Sequence, residues 1–196
     1  MPILPKQRDI FPDDLLVTPP AVDGRAGHDC HAGHADHGWI AFYTLSRREK
    51  DLMRRLEAAA LPFYAPLVKR RLLSPGGRAR LSYVPLFPGY VFSFVDDAQR
   101  RVALATNTIA RWLPIQDATA FVADLRNIKR LIDTDRPLTP EARLEPGQPV
   151  RVRSGPLRGM EGMVVKRRGE QRLVVAVRFV NQGVSIELED VDLERM

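Results

Sequence analysis

The sequence predicts an α+β domain followed by a small all-β barrel, the two joined by a proline-rich linker. Three observations lead there. Between residues 38 and 135, strand-like runs interleave with amphipathic helical patterns. Arg136–Pro149 then holds four prolines and no periodicity. After it come only short β-branched runs with glycine turns between them.

Taken in order, residues 1–37 mix Pro, Gly, Asp, Ala and His without a sustained period, which predicts a mostly disordered tail. "WIAFYT" alternates Trp39, Ala41 and Tyr43 with Ile40, Phe42 and Thr44, as a strand buried on at least one face does. "SRREKDLMRRLEAAAL" predicts a helix with a Ser46/Glu49 capping box and a face of Leu52, Met53, Leu56 and Ala60, ended by Pro62. "FYAPLVKRRLL" and "RARLSYVPL" flank "SPGG" as the arms of a hairpin. A strand follows Gly89, then a short helix in "AQRRVALAT", a strand in "IARWLPI" and a helix in "ATAFVADLRNIKRLID" with Phe121, Leu125, Ile128 and Ile132 on one face. The domain limits this implies are 38–135, a linker at 136–146, and 147–196.

The chain has 196 residues, 44% hydrophobic and 28% charged, so a core can form without metals or disulfides. Cys30 is the one cysteine, which excludes an internal disulfide and favours a reducing compartment. No apolar run approaches the roughly 20 residues of a membrane span, and the first residues lack a basic-then-apolar leader, so a cytoplasmic protein is expected. The net charge of +6 is uneven: residues 1–37 carry −3, residues 38–135 carry +7, and the rest is near neutral. A basic domain beside a neutral one suggests that one meets nucleic acid and the other protein, although a solvated basic surface explains the charge equally well.

Phosphate-binding glycine loops, G-x-S-x-G elbows and H-E-x-x-H helices are lacking, so no enzymatic activity is expected. His28, His31, His34 and His37 recur every third residue around Cys30. Between the histidines and Cys30 alanine is the only residue that could help form a core, too little to build a zinc knuckle, and the run reads as a flexible, weakly metal-binding segment. No metal or cofactor is expected.

The most informative stretch is "YVPLFPGYVFSFV", Tyr83–Val95. A proline at a strand entrance loses no ladder hydrogen bond, and the following glycine permits a close turn. Such a turn is expected to push Phe87 and Tyr90 outward side by side; the competing reading puts both aromatics in the core.

The aromatic strand "WIAFYT", the helix starting R-R-E-K and above all "PLFPGYVF" resemble the N-terminal (NGN) domain of the NusG family. The C-terminal run, with its E-P-G entry, V-R-V, S-G-P-L-x-G-M-E-G, R-G-E turn and final V-S-I-E-L strand, resembles a KOW domain, a small SH3-like barrel. The resemblance spans residues 38 to 196 in family order. It implies a transcription elongation and antitermination factor, acting as a monomer, whose first domain grips the clamp helices of RNA polymerase. Carried over by position, that surface is Phe87, Pro88, Gly89 and Tyr90, with Tyr43 beside them.

The resemblance to specialised family members further implies that the hairpin basics Lys69, Arg70, Arg71, Arg78 and Arg80 contact phosphates of the displaced non-template DNA strand. Alternation along the strands also allows half of them simply to face solvent. In the KOW domain, Phe179, Val180 and Gln182 fall where relatives hold a small-subunit ribosomal protein or the Rho termination factor. Gln182 replaces an Arg usual in the general factor, which counts against Rho and leans toward a specialised, RfaH-like paralogue. Two rival functions stand beside this: a ribosome-associated RNA-binding protein using Lys166, Arg167 and Arg168, and a metal-handling protein using the His-rich tail.

Overall fold

A computed structural model describes residues 6–17, 37–73, 79–136, 138–141, 147–155, 157–167, 170–187 and 193–195. Two units emerge, Met1–Ala118 and Thr119–Met196.

In the first unit the alternating aromatic run becomes β2 (Gly38–Thr44). It lies between β6 (Tyr90–Val95) and β7 (Ile109–Pro114), both antiparallel to it. β3 (Phe63–Tyr64) and β1 (Ile10–Phe11) extend the sheet beyond β6, giving the order β1-β3-β6-β2-β7. β4 (Leu67–Leu73) and β5 (Ala79–Pro85) pair separately as the expected hairpin. Ile40, Phe42 and Val91 on one sheet face meet Leu52, Met53 and Leu56 of helix α1 (Glu49–Ala58). Trp39, Ala41, Phe92 and Phe94 on the other face are also buried. Burial on both faces is why no charge interrupts these strands, each large apolar side chain contributing about 1.5–3 kcal/mol.

The Ser46/Glu49 capping box does not form. The helix starts after Arg48, and Arg47 turns at φ 60°, so Glu49 sits at the first helical position. Helix α2 (Asp97–Leu104) has the reciprocal box instead: Asp96 accepts from the Gln99 N–H at 2.7 Å and Gln99 from the Asp96 N–H at 3.2 Å.

Against the expectation of a mostly disordered tail, residues 6–17 pack onto the unit. Ile10 and Phe11 pair with Tyr64 and Phe63, and Leu15 and Leu16 are buried. Arg8 reaches Asp13 at 2.8 Å and Glu57 at 3.6 Å. The cause is legible in hindsight: two apolar pairs, Ile-Phe and Leu-Leu, sit within an otherwise polar stretch and supply enough area to offset ordering.

The second unit holds helix α3 (Ala118–Asp133) and the strands β8 (Leu138–Glu141), β9 (Gln148–Val152), β10 (Glu161–Arg167), β11 (Glu170–Val177), β12 (Gln182–Glu187) and β13 (Leu193–Arg195). They form one sheet, β13-β9-β10-β11-β12-β8. Every strand pairing among the described residues is antiparallel. The ladder runs between two edges among those residues and does not close into a barrel. Part of the expected linker is β8, paired with β12, and Pro140 is tolerated there because an edge strand has no partner on one side. The chain after Val177 leaves the strand for a 3-10 turn, Arg178–Val180, closed by Asn181 at φ 51°. On α3 the buried stripe is Phe121, Val122, Leu125, Ile128 and Leu131, with Ile132 at its margin. No helix among the described residues is long and apolar enough to cross a membrane.

Candidate binding surfaces

The Phe-Pro-Gly-Tyr stretch folds as a four-residue turn. The Tyr90 N–H donates to the Phe87 carbonyl at 3.1 Å, with Gly89 at φ 85°. Proline then glycine at the two central positions suits a type II turn, which requires positive φ at the second. The turn reverses the chain between its end residues, and this decides where the rings go. Phe87 is only 1% exposed and packs edge-on to Phe92 at 6.0 Å. The expectation that it points outward is therefore corrected: it anchors the turn from inside. Tyr90 stays half-exposed, and Pro88 is exposed.

Tyr90 and Tyr43 are direct cross-strand partners, also half-exposed, with rings 5.2 Å apart in an edge-on arrangement. Arg111 is the partner of Tyr43 on the other side, in β7, and its guanidinium lies 4.8 Å from the Tyr43 ring centre. One sheet face thus ends in a row of Tyr90, Tyr43 and Arg111. Two contacts brace it from the chain side. The Glu49 carboxylate accepts the Gly89 N–H at 2.8 Å, and the Thr44 N–H donates to the Gly89 carbonyl at 2.8 Å. A Cβ at residue 89 would lie 2.9 Å from Cε2 of Tyr43, so glycine is needed for contact as well as for φ. The sequence points to Glu49 as a helix cap instead of a brace of this turn, and does not single out Arg111. The signal for Arg111 was present: it is the single charge in "IARWLP".

The hairpin splits the expected basic set. The register pairs Lys69 with Tyr83, Arg70 with Ser82, Arg71 with Leu81 and Leu72 with Arg80. Positions 69 and 71 therefore share one face, and 70 and 80 the other. Lys69 and Arg70 are exposed. Arg78 lies outside the described residues, as do the side chains of Arg71 and Arg80.

In the second unit Phe179 is 37% exposed, Val180 is half-buried, and half-buried Gln182 opens β12 opposite Val177. The 3-10 turn that carries Phe179 is held by α3. Asp124, 8% exposed, accepts from the Arg178 backbone N–H at 3.0 Å, from Nε at 3.2 Å and from Nη2 at 3.0 Å. Phe121 meets the Phe179 ring edge-on at 5.9 Å. Asp124 was hidden in the sequence among the apolar positions of α3.

His28, His31, His34 and Cys30 lie outside the described residues, as do Arg168 and the side chains of Lys166 and Arg167. His37 stacks on Phe94 at 5.7 Å, with Nε2 3.8 Å from Asp96. Among the described residues no group of His, Cys, Asp and Glu could hold a metal ion.

Comparison with known proteins matches residues 37–139 to the family described as transcription termination factor nusG. The transcription termination/antitermination protein NusG of Pseudomonas aeruginosa is 29% identical over 177 residues, covering 81% of this chain and 98% of that protein. The Escherichia coli K12 and Salmonella typhi proteins of the same name are each 30% identical over 131 residues, covering 61% of this chain and 70% of theirs. A chain of the crystallised MjSpt4:Spt5 complex is 17% identical with a TM-score of 0.25, covering 81% of this chain and 97% of that one, a score too low to establish a shared fold.

Proposed function

The chain belongs to the NusG family of transcription termination and antitermination proteins, and from that premise we propose that it acts on transcribing RNA polymerase, gripping the clamp with its first domain and recruiting a further protein with its second. The observation that carries the polymerase contact is the Tyr43–Tyr90 pair, half-exposed at the ends of two rigid strands beside Pro88. Aromatic rings fixed by a scaffold bring large contact area at little cost in rotamer freedom. Binding one polymerase state more tightly than another then biases it toward elongation, with no chemistry of the factor's own.

On this reading the first unit is the NGN-like domain and residues 147–196 are the KOW domain, with β8 from the 136–146 segment adding a strand to its sheet. Lys69, Arg70, Arg71, Arg78 and Arg80 supply phosphate contacts to the non-template strand, adding affinity without reading sequence. Phe179, Val180 and Gln182 receive a small-subunit ribosomal protein in preference to Rho, and the tether raises that partner's effective concentration. Gln182 supports a specialised role, which predicts that depletion impairs particular long operons before bulk transcription. The factor works as a monomer in the cytoplasm, where polymerase is.

The test is titration of purified core RNA polymerase with the full chain and with Tyr90→Ala and Tyr43→Ala. Each substitution is expected to weaken binding about tenfold or more, the cost of truncating an aromatic hot spot. A folded Tyr90→Ala protein that binds as tightly as the parent overturns the reading.

A further inference from the structure

We infer that Arg111 is a specificity-determining residue of the same surface, pairing with a carboxylate on the polymerase arm that packs on Tyr43 and Tyr90. The inference rests on the polymerase reading and adds a charge requirement to it. Arg111 stands in line with the two tyrosines across three neighbouring strands. Its guanidinium is exposed, yet held over the Tyr43 ring at 4.8 Å. A cation parked on an aromatic face has lost part of its rotamer freedom before any partner arrives.

Arg100 supplies the internal contrast. It too lies over an aromatic ring, Trp112 at 4.2 Å, but Asp97 neutralises it at 2.8 Å. Arg111 has no carboxylate within ion-pair distance among the described residues. Glu49, the acid of this surface, is bonded to the Gly89 N–H. Two residues past Tyr43 in the chain, Leu45 is 47% exposed, its N–H bonded to the Thr108 carbonyl at 2.9 Å. A half-exposed aromatic pair, an exposed leucine and an unneutralised arginine together fit a helix that presents an acidic residue next to apolar ones. Arginine and tyrosine are the residue types that dominate such contacts, and a charge-assisted bond there fixes register.

The experiment is titration of core RNA polymerase with the full chain carrying Arg111→Ala, Arg111→Lys, Arg111→Glu, Tyr90→Ala or, as a control for net charge, Arg101→Glu, at low and moderate salt. Arg111→Ala is expected to weaken binding about tenfold, and Arg111→Glu about a hundredfold, in the range found for interfacial charge pairs. Arg111→Lys should fall between parent and alanine, and its retained charge guards against a folding artefact. Arg101→Glu should bind like the parent, because Arg101 is exposed on α2 outside the row. If Arg111→Glu binds normally while Tyr90→Ala is weakened, the arginine has no such role although the surface does. Equal losses for Arg101→Glu and Arg111→Glu would reduce the effect to general charge and overturn the assignment. Normal binding by Tyr90→Ala and Arg111→Glu alike would fell the polymerase reading itself.

Discussion

Single residues around the Pro88–Gly89 turn set the shape of the surface. Gly89→Ala forces a side chain into positive φ and against Tyr43, and is expected to cost about 1–3 kcal/mol in chemical denaturation while weakening polymerase binding. Phe87→Ala is a stability variant, with an expected loss of about 3–5 kcal/mol from an emptied core site. Thr44 makes the opposite case. It is 3% exposed and its hydroxyl has no hydrogen-bond partner among the described residues, so the near-isosteric Thr44→Val should leave the melting temperature unchanged or raise it. The sequence shows Pro-Gly as a turn plainly. Which of the flanking aromatics goes inside it does not show, because that follows from the turn type and from Phe92 waiting beneath.

At the scale of elements, strands and helices are legible in the sequence where periodicity is strong and obscured where a few residues decide. β2 follows from the alternating aromatic run, β6 from the uncharged run after Gly89, and α3 from the apolar stripe of "ATAFVADLRNIKRLID". β8 looks like linker in the sequence because Pro140 and the prolines around it argue against a strand, and pairing with β12 makes it one. The run "RFV" has residues that favour extension, yet it is a 3-10 turn where Asp124 collects three bonds from Arg178. That clasp predicts that Asp124→Ala lowers the stability of the second unit by about 2 kcal/mol, since bonds to a charged acceptor are lost. Asp124→Asn, which keeps an acceptor, should lose less. Amide hydrogen exchange at Arg178 separates the two from wild type.

For the whole chain, the uneven charge was visible at once and the surfaces it serves were not. The +7 of residues 38–135 predicts that crosslinking to single-stranded DNA falls steeply as salt rises. Charge reversal at Arg70 and Arg80, which share a hairpin face, should flatten that slope more than reversal at Arg70 with Lys69, which do not. The least legible part was residues 6–17, where two apolar pairs outweighed a disordered-looking composition. They matter beyond their size: β1 is the outermost strand on its side, and shortening the protein to begin at Trp39 would bare the flank of β3 and the seats of Leu15 and Leu16. An open strand flank beside uncovered apolar side chains invites a neighbouring copy to add itself, so a trimmed version should clump on concentration where the intact one stays dispersed.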